Sequence, residues 1–224
     1  VYECVYQQKT FAMKFLTQSS EVNKRLFLHE VESIRRLKQF QPNSVFSDFL
    51  SALGFRWDEL QMDIRDLFPT VYFEHQRPSF YLMDVMEPLD VRRLSQREFL
   101  LLEQSVAVFL AVLRQLGAVY RDFSPRNIMR RGDSFVFIDF EELLEVGGAI
   151  VYPGQFKYQM RDEATFEADY FAAAVVLSER YQALPHQDAK SKEEARQIFS
   201  DSQEQWRGKL EGLAKALAEL ADGV

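Results

Sequence analysis

The chain has 224 residues and a mass of 26.3 kDa, enough for one sizeable domain or two small ones without a disulfide or metal staple. Hydrophobic residues at 47% and charged residues at 27% exclude a disordered chain, and the single cysteine, Cys4, excludes an internal disulfide framework and a cysteine-built zinc site. A formal net charge of −7 argues against sequence-blind nucleic-acid binding, so no nucleic-acid partner is expected. No uncharged apolar run reaches the roughly 18–20 residues that span a bilayer. Val1-Tyr2-Glu3-Cys4 shows no basic segment leading into an apolar one, so neither a membrane span nor a signal peptide is expected. With one unpaired cysteine, a reducing cytoplasmic or nuclear compartment is the expected location.

In chain order, Val1 to Tyr6, the polar turn Gln7-Gln8-Lys9 and Thr10 to Leu16 read as a β-hairpin. Ser19-Ser20-Glu21 offers N-cap chemistry for a helix that runs to about Phe40. Leu26, Ile34 and Leu37 form its apolar stripe; Glu30, four residues from both Leu26 and Ile34, falls within that stripe, and Glu32 does not. A carboxylate on a burying face needs a cation. Short helices are expected around Phe46 to Leu53 and Trp57 to Leu60, then strands over 70–74 and 80–86 joined by a turn at Arg77-Pro78-Ser79, with Pro88 ending the strand region. A long helix from about Ser95 to Leu116 stops at Gly117. After it come Ala118-Val119-Tyr120, the polar loop Arg121 to Asn127, a hairpin of Ile128-Met129 with Phe135 to Ile138, a gently polar stretch to about Ala164, an apolar helix from Phe166 to Tyr181, and two amphipathic helices in the charged tail.

Four features then fall in a telling order. Phe11-Ala12-Met13-Lys14 puts a lysine at the end of an apolar strand, and Glu30 comes on the next helix. Asp122 and Asn127 stand five apart in the polar loop, and Asp139 ends a strand 17 residues after Asp122. Singly each has an ordinary explanation: a solvated strand-end lysine, a helix salt bridge from Glu30 to Arg25 or Lys38, a turn-forming aspartate. Together, Ala-Met-Lys, Tyr120-Arg121-Asp122 with Asn127, and Ile138-Asp139-Phe140 resemble the lysine strand, catalytic loop and metal-binding motif of the protein-kinase-like superfamily. Asp169 to Leu177 is similar to the helix that supports the catalytic loop in that family, so the resemblance covers roughly residues 1–182.

The resemblance implies an α+β, bilobal protein-kinase-like fold, with a small antiparallel-sheet lobe carrying one main helix over residues 1–87 and a mostly helical lobe over 88–224. It implies an ATP-dependent phosphotransferase that moves the γ-phosphate to a hydroxyl, on protein Ser/Thr first, with ATP and Mg²⁺ as cofactors. Lys14, fixed by Glu30, would hold the phosphates; Asn127 and Asp139 would hold Mg²⁺; Asp122 would orient the acceptor hydroxyl and take its proton. Met83 looks like the gatekeeper before an adenine-binding hinge of Asp84, Val85 and Met86. The departures matter: Val1-Tyr2 matches the residues just after the Gly-rich loop, so that loop and the first strand are expected to be missing. Tyr120 stands for the usual histidine, Ser124 for a phosphate-contacting lysine, and Glu141 for the glycine after Asp-Phe, adding a carboxylate near the metal. Ser124 and a short segment after Asp139 favour a small-molecule acceptor, while the absent loop, Tyr120 and Glu141 favour a pseudokinase acting as an interaction module with a protein partner.

Overall fold

The structure, a computed structural model, describes residues 1–16, 20–76, 79–148 and 164–183, with Glu204 and Gly208. The expected turn at residues 77–78, the polar stretch over 149–163 and the amphipathic tail lie outside them. What is described is α+β, with antiparallel sheets and four α-helices. The chain divides into two compact units, neither continuous in sequence: Val1–Gln41, Met62–Leu89 and Arg126–Leu143 make the first, and Pro42–Gln61, Asp90–Pro125 and Leu144–Val224 the second.

The first unit is built on a four-stranded antiparallel sheet of β1 (Tyr2–Tyr6), β2 (Lys9–Phe15), β3 (Val71–Gln76) and β4 (Ser79–Met83), in the order β1-β2-β4-β3. Gln7 and Gln8 turn the first hairpin with φ of 49° and 66°, the two left-handed residues a two-residue loop needs to follow the strands' twist. Lys9 therefore belongs to β2, not to the turn. In the β2–β4 register Ala12 faces Met83 and Lys14 faces Tyr81, so these four side chains share one face. Helix α1 (Glu21–Lys38) is capped by Ser20, whose hydroxyl accepts the Asn23 N–H at 3.1 Å. Its buried stripe is Phe27, Glu30, Val31, Ile34 and Leu37. Leu26, expected in that stripe, is half-exposed, because the buried face is centred one residue later, where Phe27 meets the Tyr81 ring at 5.4 Å.

A second sheet of the same unit orders β5 (Glu87–Pro88), β7 (Ile128–Arg131) and β8 (Ser134–Phe137) side by side. Pro88 ends the strand region as expected: it is the last residue of β5 and pairs with Met129 on an edge strand, where a residue without an N–H costs nothing. Hairpin β7–β8 is fixed by Ile128 opposite Phe137, and the ring of Phe140 beyond it meets Phe68 at 6.0 Å.

The second unit is mostly helical. Helix α2 (Ser44–Ala52) is capped by Asn43 and buries Phe46, Phe49 and Leu50 against α3 (Gln96–Leu116). A full capping box of Ser95 and Glu98 starts α3, and Gly117 ends it at φ 62°, a left-handed position that costs glycine nothing. By length and hydropathy α3 is the one described helix able to cross a membrane; most of that apolar stretch is buried inside the protein, as in a core helix. The two-stranded pair β6 (Ala118–Val119) and β9 (Leu144–Glu145), with α4 (Phe166–Ala183), completes what is described of the unit. Rings of Phe109, Tyr120 and Phe123 meet one another at 5.2–5.6 Å, anchoring the loop after β6 on α3.

Candidate functional site

In the first unit the cross-strand pair Lys14–Tyr81 decides where the charge goes. Phe27 of α1 lies on Tyr81, so the residue one helical turn later, Glu30, reaches the lysine opposite Tyr81. Glu30 is completely buried, and its carboxylate meets the Lys14 ammonium at 2.8 and 2.9 Å, while Glu32 faces solvent. Lys38, the alternative helix partner, instead donates to the Arg65 carbonyl at 2.8 Å. Burial pushes the Glu30 carboxyl up to about 7 against the pull of Lys14. Burial alone would lower the Lys14 ammonium, but the charges of Glu30, Asp139 and Glu141 outweigh it and hold that group well above the usual lysine range. The Tyr81 phenol is raised by burial and then by the Glu30 charge, so it stays a neutral donor.

Two further carboxylates reach Lys14. Asp139 Oδ1 and Glu141 Oε1 each lie 3.0 Å from Nζ, and their side chains are 38% and 36% exposed against 1% for Glu30. One oxygen from each of Glu30, Asp139 and Glu141 falls within 4.8 Å of the others, with the ammonium among them. Asp139 has φ 65°, a left-handed conformation that aspartate tolerates better than most residues. That bend comes directly after hairpin β7–β8: Ile138 donates its N–H to the Asn127 carbonyl at 2.9 Å, so Asn127 and Asp139 leave the same end of the hairpin. An aspartate carboxylate and a buried amide are hard oxygen donors, a set that fits Mg²⁺. The helix carrying Glu30 is tied to this loop by His29, whose Nε2–H donates to the Leu143 carbonyl at 2.6 Å.

Met83, the last residue of β4, is buried; after it Val85 is exposed, Met86 is half-buried, and residues 84–86 form no regular element. The Asp84 carboxylate accepts the Thr70 N–H at 2.8 Å, the Tyr72 hydroxyl at 2.7 Å and Arg131 Nη1 at 2.7 Å. Arg131 also donates to the Asp66 carbonyl at 3.1 Å. Burial would raise Asp84, but these hydrogen bonds and the Arg131 charge keep it below the usual carboxylate range. The segment is thus held through its own first side chain.

In the second unit Asp122 is half-buried between the buried Arg121 and Phe123. Arg121 has φ 66°, and strained backbone of this kind persists only where the surroundings over-determine it. The cause is Asp169 of α4: its carboxylate accepts the N–H groups of Tyr120 at 2.6 Å and Arg121 at 2.8 Å. Burial raises Asp169 from 3.8 to about 7, against those two N–H groups and the Arg121 charge. The unfolded chain loses this proton near 3.8 while the folded one keeps it to about 7, so the folded state binds more protons between those values. Stability from this group therefore falls as pH rises across that window, by roughly a few kcal/mol, and levels off above it. Asp169→Asn should lose about 1–3 kcal/mol with one N–H left unpaired, and should flatten that slope. Denaturant unfolding at about pH 5 and about pH 8 reads both; an unchanged slope would refute the assignment.

Lys14, Glu30 and Asp139 are thus brought together, Asn127 lies at the same hairpin end as Asp139, and Asp122 belongs to the other unit. Tyr81, His29 and Arg131 were not expected at these places; the β2–β4 register is the signal that would have exposed Tyr81. No protein-family model matches this chain, and neither does any curated protein sequence.

Proposed function

We propose that this chain is a protein-kinase-like phosphotransferase that transfers the γ-phosphate of ATP to a hydroxyl group, with protein Ser/Thr as the first acceptor class. The observation that carries this reading is the Lys14 ammonium, paired at 2.8 Å with the fully buried Glu30 and at 3.0 Å with Asp139. Burying such a pair gains little stability over apolar residues, so chemistry is the reason to keep it. Bound with Mg²⁺, ATP supplies the phosphoryl group and the cation that neutralises its charge. Lys14 holds phosphate oxygens, Glu30 fixes Lys14, and Asp139 with Asn127 holds the metal. The main chain of Asp84, Val85 and Met86, beside the buried Met83, takes the base. Asp122 orients the acceptor hydroxyl and accepts its proton. The kinase-like, bilobal fold and an intracellular location belong to the same proposal.

Calorimetry of ATP binding with and without Mg²⁺ tests it. Wild type should bind with Mg²⁺, and Asp139→Asn should weaken that binding by about tenfold or more, the loss of one charge-assisted contact. Binding indifferent to both Mg²⁺ and the substitution would remove the metal from the reading. One observation favours a second reading, an interaction module without transfer: three carboxylates already surround the lysine. Full ATP binding without any labelled acceptor would select it.

A further inference from the structure

An ammonium has three N–H donors, and three carboxylates lie within 3.0 Å of Lys14. As the chain stands, a phosphate oxygen has no donor of Lys14 to take until a carboxylate lets go. Glu30 is the least able to release, being completely buried on α1. Asp139 and Glu141 are half-exposed and lie on one loop, two residues apart, where the left-handed backbone at Asp139 turns both toward the lysine. Of these two, Asp139 is the residue a cation would draw away, together with Asn127.

We infer that Glu141 sets the ligand specificity of Lys14: it fills the donor that would otherwise stay open, so the site accepts phosphate groups only as their divalent-metal complexes. This rests on the phosphate-binding role proposed for Lys14. Without metal, a polyphosphate meets an ammonium whose partners are complete and two carboxylates that repel it. With metal, Asp139 turns to the cation and one lysine donor is freed, while Glu141 keeps its own. Removing the Glu141 charge frees a donor without metal, and the discrimination falls. Glu141 acts through Lys14 and is a specificity residue, not a catalytic one.

The test compares wild type with Glu141→Gln, which keeps the size of the side chain, and Glu141→Ala, which separates loss of charge from gain of an amide. Glu32→Gln is the control, because it makes the same change in net charge at an exposed position of α1. Calorimetry with ADP, and with pyrophosphate to remove the base, is run in Mg²⁺ and in EDTA. Both Glu141 variants should bind the metal-free probes about tenfold more tightly than wild type, and the ratio of metal-bound to metal-free affinity should shrink accordingly. Glu32→Gln should keep the wild-type ratio. A ratio unchanged in both Glu141 variants overturns the inference and leaves the phosphate role of Lys14 standing. Equal shifts in Glu32→Gln overturn it as a net-charge effect. A wild type that binds neither probe in Mg²⁺ overturns the phosphate role itself, and the inference with it.

Discussion

Replacing Asp122 by alanine is expected to lower phosphoryl transfer by roughly 10²–10⁴-fold while nucleotide binding stays within about twofold. The division of labour is the reason. Asp122 is the residue proposed to meet the acceptor hydroxyl, whereas Lys14, Asn127 and Asp139 are proposed to hold nucleotide and metal. Truncation should also leave the fold of its unit intact. The loop is anchored by the rings of Tyr120 and Phe123 on Phe109 and by the two N–H groups that Asp169 accepts, contacts that remain when Asp122 is truncated. Labelled γ-phosphate should be followed in parallel into protein acceptors, small alcohols and the chain itself. A loss confined to protein acceptors supports the first acceptor class, and a loss confined to alcohols supports a small-molecule kinase. Wild type that labels nothing above the variant's background would end the catalytic reading.

What the sequence revealed was what local chemistry decides. The turn at Gln7-Gln8, the Ser20 cap, and the Ser95 to Gly117 helix depend on neighbours a few residues away, and these elements stand within one to three residues of where the pattern puts them. Glu30 was legible for the same reason: helical spacing alone separates it from Glu32. Its partner was not fixed by spacing, since Arg25 and Lys38 were equally local candidates; the β2–β4 register and the Phe27–Tyr81 contact select Lys14.

The rest depends on contacts far apart in sequence. Asp84 looked like a hinge residue known only for its main chain, yet its carboxylate joins Thr70, Tyr72 and Arg131, a link over 47 residues that no periodicity carries. The division into units was hidden likewise, because Glu87 pairs with Arg130 and Pro88 with Met129, which draws Arg126–Leu143 into the first unit. Glu141 was legible as a carboxylate where a glycine was expected, but its partner was not. A contact made by a side chain two residues past a left-handed aspartate depends on the backbone bend, and nothing in the residue types forecasts φ 65° at position 139.

Lys14→Met should be the most damaging single change to the fold of the first unit. It leaves Glu30, completely buried, without its cation, and breaking a buried pair in this way costs about 3–5 kcal/mol. The loss should depend on pH with a definite sign. With Lys14 present the folded Glu30 carboxyl already stands at about 7, against 4.5 for an ordinary one, and removing the lysine raises it further. A group whose folded value is raised binds more protons folded than unfolded, so its contribution to stability falls as pH rises toward that value. The difference between variant and wild type should therefore be smallest below about pH 7 and largest above it. Adding Glu30→Gln should recover most of the loss, because glutamine is neutral and still accepts from Tyr81, the donor beside it. The recovered double variant then separates structure from chemistry. If the pair is kept for holding phosphates, Lys14→Met with Glu30→Gln should unfold at nearly the wild-type denaturant midpoint yet bind ATP with Mg²⁺ at least about tenfold more weakly. A double variant of wild-type affinity would remove Lys14 from the phosphate site, and a single variant of wild-type stability at about pH 8 would show that the Glu30 charge finds another partner.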